Sequence, residues 1–191
     1  MEMNMKRLLI AIVILFINSI TISAQPQKEM ISKLMENRRI WCDTSNIDIL
    51  PATMEKGLYV GLDTDMVNNN ISKIRKSNLF SEDFVNNYKV LIDSINGRLL
   101  EGYYDKWYVG ELPPFRFAND HDPWCNCQGD NNQYTIEFVG ISNNCKEFRY
   151  YQKYDYDFGF EVRVVFQDGD WKISYLEGFD FENGIKKDGE M

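Results

Sequence analysis

Asp120, His121 and Asp122 are followed by Cys125 and Cys127, so oxygen, nitrogen and sulfur donors meet in one short stretch. Zinc would require those sulfurs as thiolates. The chain has four cysteines, Cys42, Cys125, Cys127 and Cys145. An even count behind an export-type leader favours disulfides, and oxidation removes the thiolates. The stretch is therefore expected to be a polar surface loop, with no metal and no cofactor. His121 is the only histidine, so a Ser–His or Cys–His nucleophile would have to use it. A Cys125–Cys127 bridge would close a very small, strained ring. That leaves Cys42 paired with one of these two and Cys145 with the other. Cys42–Cys125 with Cys127–Cys145 is the preferred pairing, because Trp41-Cys42 and Trp124-Cys125 are like dipeptides whose indoles suit a buried bridge.

Other polar motifs carry less chemistry. Asp63/Asp65, Asp155/Asp157 and Asp168/Asp170 are Asp-x-Asp pairs without the glycine and terminal glutamate of a calcium loop. They read as turn residues. Asn70-Ile71-Ser72 fits a glycosylation acceptor.

The elements that would position a site follow from periodicity. Met30, Ile31, Leu34 and Met35 form one stripe of a helix over 27–42, with Arg38 and Arg39 in its last turn, where cations suit the dipole. Residues 43–61 hold Pro51 and Gly57 without a clean period and read as a connection. A short helix is expected over 62–76. Ser81 caps the strongest helix, over 81–99, where Phe84, Tyr88, Leu91, Ile92, Ile95 and Leu99 form an amphipathic stripe. Residues 103–109 suggest a strand, and 111–132 a long loop.

Beyond Asn132 the period becomes two. Four strands follow, near 134–139, 147–154, 160–166 and 171–175, and Asp168-Gly169 signals a tight hairpin between the last two. The inward set is Tyr134, Ile136, Phe138, Phe148, Tyr150, Gln152, Tyr154, Phe160, Val162, Val164, Phe166, Trp171, Ile173 and Tyr175. It contains no charged residue and no histidine. General acid–base catalysis needs a positioned titrating group, so an aromatic core is the main expectation. If a ligand pocket exists, Tyr88, Tyr134, Phe138, Tyr150, Gln152, Trp171 and Tyr175 would line it, their polar tips serving as handles. Glu137, Glu147, Arg149, Tyr151, Lys153, Glu161, Arg163, Lys172 and Ser174 are assigned to the outward face. Among them Arg149, Tyr151, Glu161 and Arg163 are the partner-surface candidates.

Lys6 and Arg7, the apolar run from Leu8 to Ile17 and the small-residue exit Ser23-Ala24-Gln25 read as a secretory signal over residues 1–25. A single domain over 26–191 would then be secreted or periplasmic, with no stable membrane anchor after cleavage. The net charge of −8 disfavours phosphate backbones, so no nucleic-acid partner is expected.

Helices followed by an antiparallel meander give an α+β class, N-terminal helices packed on a curved antiparallel sheet. The ending Val164-Val165-Phe166-Gln167-Asp168-Gly169-Asp170-Trp171-Lys172-Ile173 resembles the terminal hairpin of nuclear transport factor 2-like (cystatin-like) domains. Leu79-Phe80-Ser81-Glu82-Asp83-Phe84 resembles the helix that precedes the sheet in exported bacterial members of unknown function. The resemblance spans residues 27–178 and implies a cone-shaped fold with its pocket between sheet and helices. It also implies a habit of dimerising through the sheet. Members include isomerases, dehydratases, ligand binders and immunity proteins to toxins, so the fold does not decide the function. The function expected is a non-catalytic binding domain for a protein partner or a small apolar ligand, with an immunity or inhibitor role in that class. The alternative is a small lyase, isomerase or hydrolase acting in an aromatic pocket, with Tyr88, Tyr150 and Gln152 as first suspects.

Overall fold

A computed structural model describes residues 28–116, 122–125, 133–141, 147–154 and 159–187. Among them are three α-helices and two antiparallel sheets, a mixed α+β architecture. Helix α1 (Lys28–Ser45) buries Ile31, Leu34, Met35 and Arg38. These positions follow the i, i+3, i+4, i+7 rule, so Arg38 lies on the apolar stripe and not on the solvated last turn.

The expected connection over 43–61 contains a hairpin. Strands β1 (Ala52–Glu55) and β2 (Leu58–Leu62) pair antiparallel. Lys56 and Gly57 make the turn with φ of 49° and 82°, the left-handed pair that matches strand twist. A register shift between Thr53 and Met54 breaks the alternation, which is why no period appears in the sequence. Strand β3 (Trp107–Tyr108), all that forms of the strand expected over 103–109, completes this small sheet against β2.

Helix α2 (Thr64–Ser77) is capped by Asp63, whose carboxylate accepts from the backbone N–H groups of Asp65 and Met66, both at 3.0 Å. Helix α3 (Glu82–Leu100) is capped by Ser81 Oγ, which accepts from Phe84 N–H at 3.2 Å. Its stripe of Phe84, Tyr88, Leu91, Ile92 and Ile95 is buried as the spacing predicts.

The second sheet is a meander of β4 (Tyr134–Ile141), β5 (Glu147–Tyr154), β6 (Gly159–Gln167) and β7 (Asp170–Leu176), in that spatial order and all antiparallel. Asp168 (φ 55°) and Gly169 (φ 84°) form the predicted hairpin turn. The connector Leu79–Ser81 runs parallel along β7: Ser81 N–H donates to Ile173 O at 2.9 Å, and Ile173 N–H donates to Leu79 O at 2.8 Å. The core lies between the sheet's inner face and helices α1 and α3. At its centre Trp124 touches Trp41, Phe80, Phe84, Tyr88 and Phe179.

Three outward or inward assignments change, at Tyr175, Lys172 and Ser174, the last expected on the outward face and found 4 % exposed. A register shift after Arg163 pairs Arg163 with Tyr175 and Val162 with Leu176. This bulge gives β7 one extra residue and reverses every side chain after it. Tyr175, expected inward, therefore shares the outward face with Arg163, and Leu176 takes the core position. Lys172, expected in water, is 4 % exposed. Its ammonium donates to Asn78 O at 2.5 Å, a carbonyl at the negative end of α2, which favours a cation.

Candidate functional site

The polar centre of the fold is Arg38, whose side chain is 0 % exposed between α1 and the sheet. Helical spacing delivers it to the inner face of the sheet opposite Gln152 and Tyr154. Nη2 donates to Gln152 Oε1 and to Cys125 O, both at 2.8 Å. Gln152 Nε2 in turn donates to Tyr154 Oη at 2.5 Å and to Cys125 O at 3.3 Å. Tyr134 packs edge-on against Tyr154 with ring centroids 5.8 Å apart. Arg38 Nε and Nη1 are buried without a hydrogen-bond partner. Burial lowers the guanidinium's pKa, against the upward pull of Cys42, Tyr134, Tyr154 and Asp122. A guanidinium nevertheless stays charged at physiological pH and cannot serve as a general base there.

The neighbouring titratable groups are pushed away from neutrality. Burial raises the Cys42 thiol to about 12, with Arg38 only partly opposing it. Burial likewise raises Tyr88, Tyr150 and Tyr154 to about 12. Each of these groups remains protonated at neutral pH.

The other sequence-derived candidates divide among three places. Tyr88, Tyr150 and Gln152 are in the core. Tyr88 Oη accepts from Asn70 Nδ2 at 3.4 Å, and the same Nδ2 reaches Asp48 O at 2.8 Å. Asn70 is 2 % exposed, so the Asn70-Ile71-Ser72 motif is not presented to a glycosylating enzyme in the folded chain. Trp171 is half-buried at a groove of about 340 Å³ with Met30, Leu34, Asn37 and Leu79, between α1 and the start of β7. Phe138 faces inward but is 46 % exposed, because it lies on the edge strand.

On the outward face Arg149, Glu161 and Arg163 form one network. Glu161 accepts from Arg149 Nη2 at 2.6 Å and from Arg163 Nε at 2.6 Å. Partial burial alone would raise the Glu161 carboxyl, but the two guanidinium hydrogen bonds outweigh it and hold its pKa below the usual value. The Arg163 guanidinium also lies over the Tyr175 ring, 4.2 Å from its centroid. Tyr151 pairs with Glu161 across strands on the same face. The four partner-surface candidates are thus brought together.

The cysteine pairing changes. Cys42 is a free thiol, so the expected Cys42–Cys125 bridge is not formed. Cys125 is disulfide-bonded. Cys127, Cys145, Asp120 and His121 lie outside the described residues, where the expected Cys127–Cys145 bridge and the loop's donor run also fall. Among the described residues no cluster of three acidic, histidine or cysteine side chains could hold a metal ion. No described helix is long and apolar enough to cross a membrane.

Arg38 is the buried polar residue whose inward place the sequence reading missed. Its seven-residue offset from Ile31 was the available signal, but a cation near a helix end has a ready surface explanation. No family model, curated protein or solved structure matches this chain.

Proposed function

We propose that the chain is an exported, non-catalytic binding domain for a protein partner or a small apolar ligand, with an immunity-type or inhibitor role in that class. The observation that carries the non-catalytic part is the state of the buried groups. Cys42, Tyr88, Tyr150 and Tyr154 are all held at about 12, and Arg38 is a permanent cation. Proton transfer near neutral pH works best with a group whose pKa lies near the working pH. The Arg149–Glu161–Arg163 network with Tyr151 offers a preorganised polar face for a protein. We read the helices and four-stranded meander as the nuclear transport factor 2-like cone, with the β1–β2–β3 sheet as a departure from it. Export rests on the leader at Lys6–Gln25.

The test is a joint stability and turnover scan. Tyr88→Phe, Tyr150→Phe, Gln152→Leu and Arg38→Met are assayed on model esters, glycosides and ketones. The expected result is no turnover in the parent protein and none in the variants. A turnover in the parent that disappears in one folded variant would overturn the reading.

A further inference from the structure

Strand β4 is the outer strand of the four-stranded sheet, bonded on one side to β5. Among the described residues nothing pairs with its other side. An eight-residue edge whose outer N–H and C=O groups meet no described residue is a template for another strand. Natural proteins blunt such edges with lysine, proline or a bulge. This strand, Tyr-Thr-Ile-Glu-Phe-Val-Gly-Ile, has no lysine or proline, carries one charge, Glu137, and has its one bulge after Phe138, which leaves 134–138 in regular pairing.

The apolar groups at this edge sit in one place. Phe138, Val139 and Ile141 are 46, 52 and 50 % exposed. Three residues of separation would normally put Phe138 and Ile141 on opposite faces. The register shift between Phe138 and Gly140 cancels that, pairing Phe138 with Tyr150 and Ile141 with Phe148. Both partners are buried on the inner face. The bulge therefore aligns two exposed apolar side chains on one face, beside a backbone edge that no described residue pairs. From there the aromatic surface continues inward, Phe138 against Tyr150 at 5.6 Å and Phe148 against Trp171 at 5.4 Å.

We propose that the β4 edge is a docking site for an extended apolar segment of a partner polypeptide, added as a further strand. This rests on the binding-domain reading and names where that binding occurs. Backbone hydrogen bonds to β4 supply affinity, and alternate side chains of the segment pack on Phe138 and Ile141. Area selects a segment over a globular face or a second copy. The three residues expose on the order of 300 Å², well below the roughly 800 Å² per partner of a stable protein interface. Charge narrows it further: Glu137 at the strand centre and a net charge of −8 favour a neutral or basic segment.

The probe is a synthetic eight-residue peptide alternating Val or Ile with Thr or Lys, titrated into the protein while backbone amides are followed by NMR and hydrogen exchange. The expected result is saturable binding that protects amides of residues 134–141. It should be lost both with a peptide N-methylated at alternate residues and in the Phe138→Lys/Ile141→Lys variant, whose fold is checked by circular dichroism. No binding at millimolar peptide, protection elsewhere, or indifference to N-methylation would overturn the site. So would protection arising from a stable dimer of the protein itself in ultracentrifugation. Any of these removes the β4 site and leaves the non-catalytic reading standing, since that fails only on a turnover.

Discussion

Replacing Arg38 by Met tests whether the buried cation stabilises the fold. Removing a guanidinium that is fully paired and buried costs about 3–5 kcal/mol, because its partner charge is stranded. Here the acceptors are neutral, Gln152 Oε1 and Cys125 O, and two of the three nitrogens have no partner. The substitution loses two hydrogen bonds from a charged donor, each roughly 1.5–3 kcal/mol. It also relieves two unsatisfied nitrogens, each costing roughly 1–3 kcal/mol. Cys125 O keeps its bond from Gln152 Nε2, and Met fills much of the vacated volume. The two sides nearly cancel, so Arg38→Met should change stability by no more than about 2 kcal/mol in either direction. The assay is urea unfolding followed by tryptophan fluorescence, which the buried Trp124 should dominate. A loss above roughly 4 kcal/mol would refute the reasoning, since only a fully paired cation would cost that much.

Alkaline pH should destabilise the fold. The Cys42 thiol and the Tyr88 phenol have folded pKa values raised to about 12. Their contribution is complete below the unfolded values, roughly 8.5 and 10, and is lost as pH rises through about 12. Urea midpoints should fall progressively above about pH 9, and a flat profile to pH 11 would contradict this. For the same reason a thiol reagent at pH 8 should modify Cys42 far more slowly in the folded than in the urea-unfolded protein. Phe148→Ala should cost roughly 3–5 kcal/mol by leaving a cavity, whereas Glu161→Ala should cost less than about 1 kcal/mol and less again in high salt. Gly159→Ala should destabilise strongly, because a Cβ there would lie 2.5 Å from Gln152 O and 2.7 Å from a Tyr151 ring carbon; a midpoint equal to the parent's would show that β5 and β6 can separate freely.

Some of the fold is legible in sequence because one physical signal dominates locally. The stripe from Phe84 to Ile95 has a capping serine and neither glycine nor proline, so α3 begins and packs as read. Asp168-Gly169 selects a hairpin through the left-handed conformation that few other pairs adopt. Tyr175 illustrates what pattern alone cannot supply. A bulge is set by how two strands fit each other, and each strand's own alternation looks regular on either side of it. Phe138 was given the right face, but its exposure depends on β4 being an edge, a property of sheet order. Arg38 and Lys172 show the same limit for charge. Burial of a cation is decided by distant partners, Gln152 in one case and Asn78 in the other. The β1–β2 hairpin is hidden because its strands are only four and five residues long and the register shift at Thr53–Met54 breaks what alternation they have.

The strip of chain between α2 and α3 also sets a clock on folding. Asn78 and Lys172, joined by one hydrogen bond, are 94 positions apart, and the Leu79–Ser81 pairing with Ile173 closes over nearly the same distance. At roughly 5–20 residues per second of synthesis, the later partner emerges on the order of 5–20 s after the earlier one. Throughout that interval the three described helices lack β7 and the pairing of Leu79–Ser81 with it, although the β1–β2 hairpin can already pack on α3 through β2. The contacts that tie α2 and α3 to β7 are thus non-local ones, closed only after the last hairpin has emerged, and contacts of that kind slow folding.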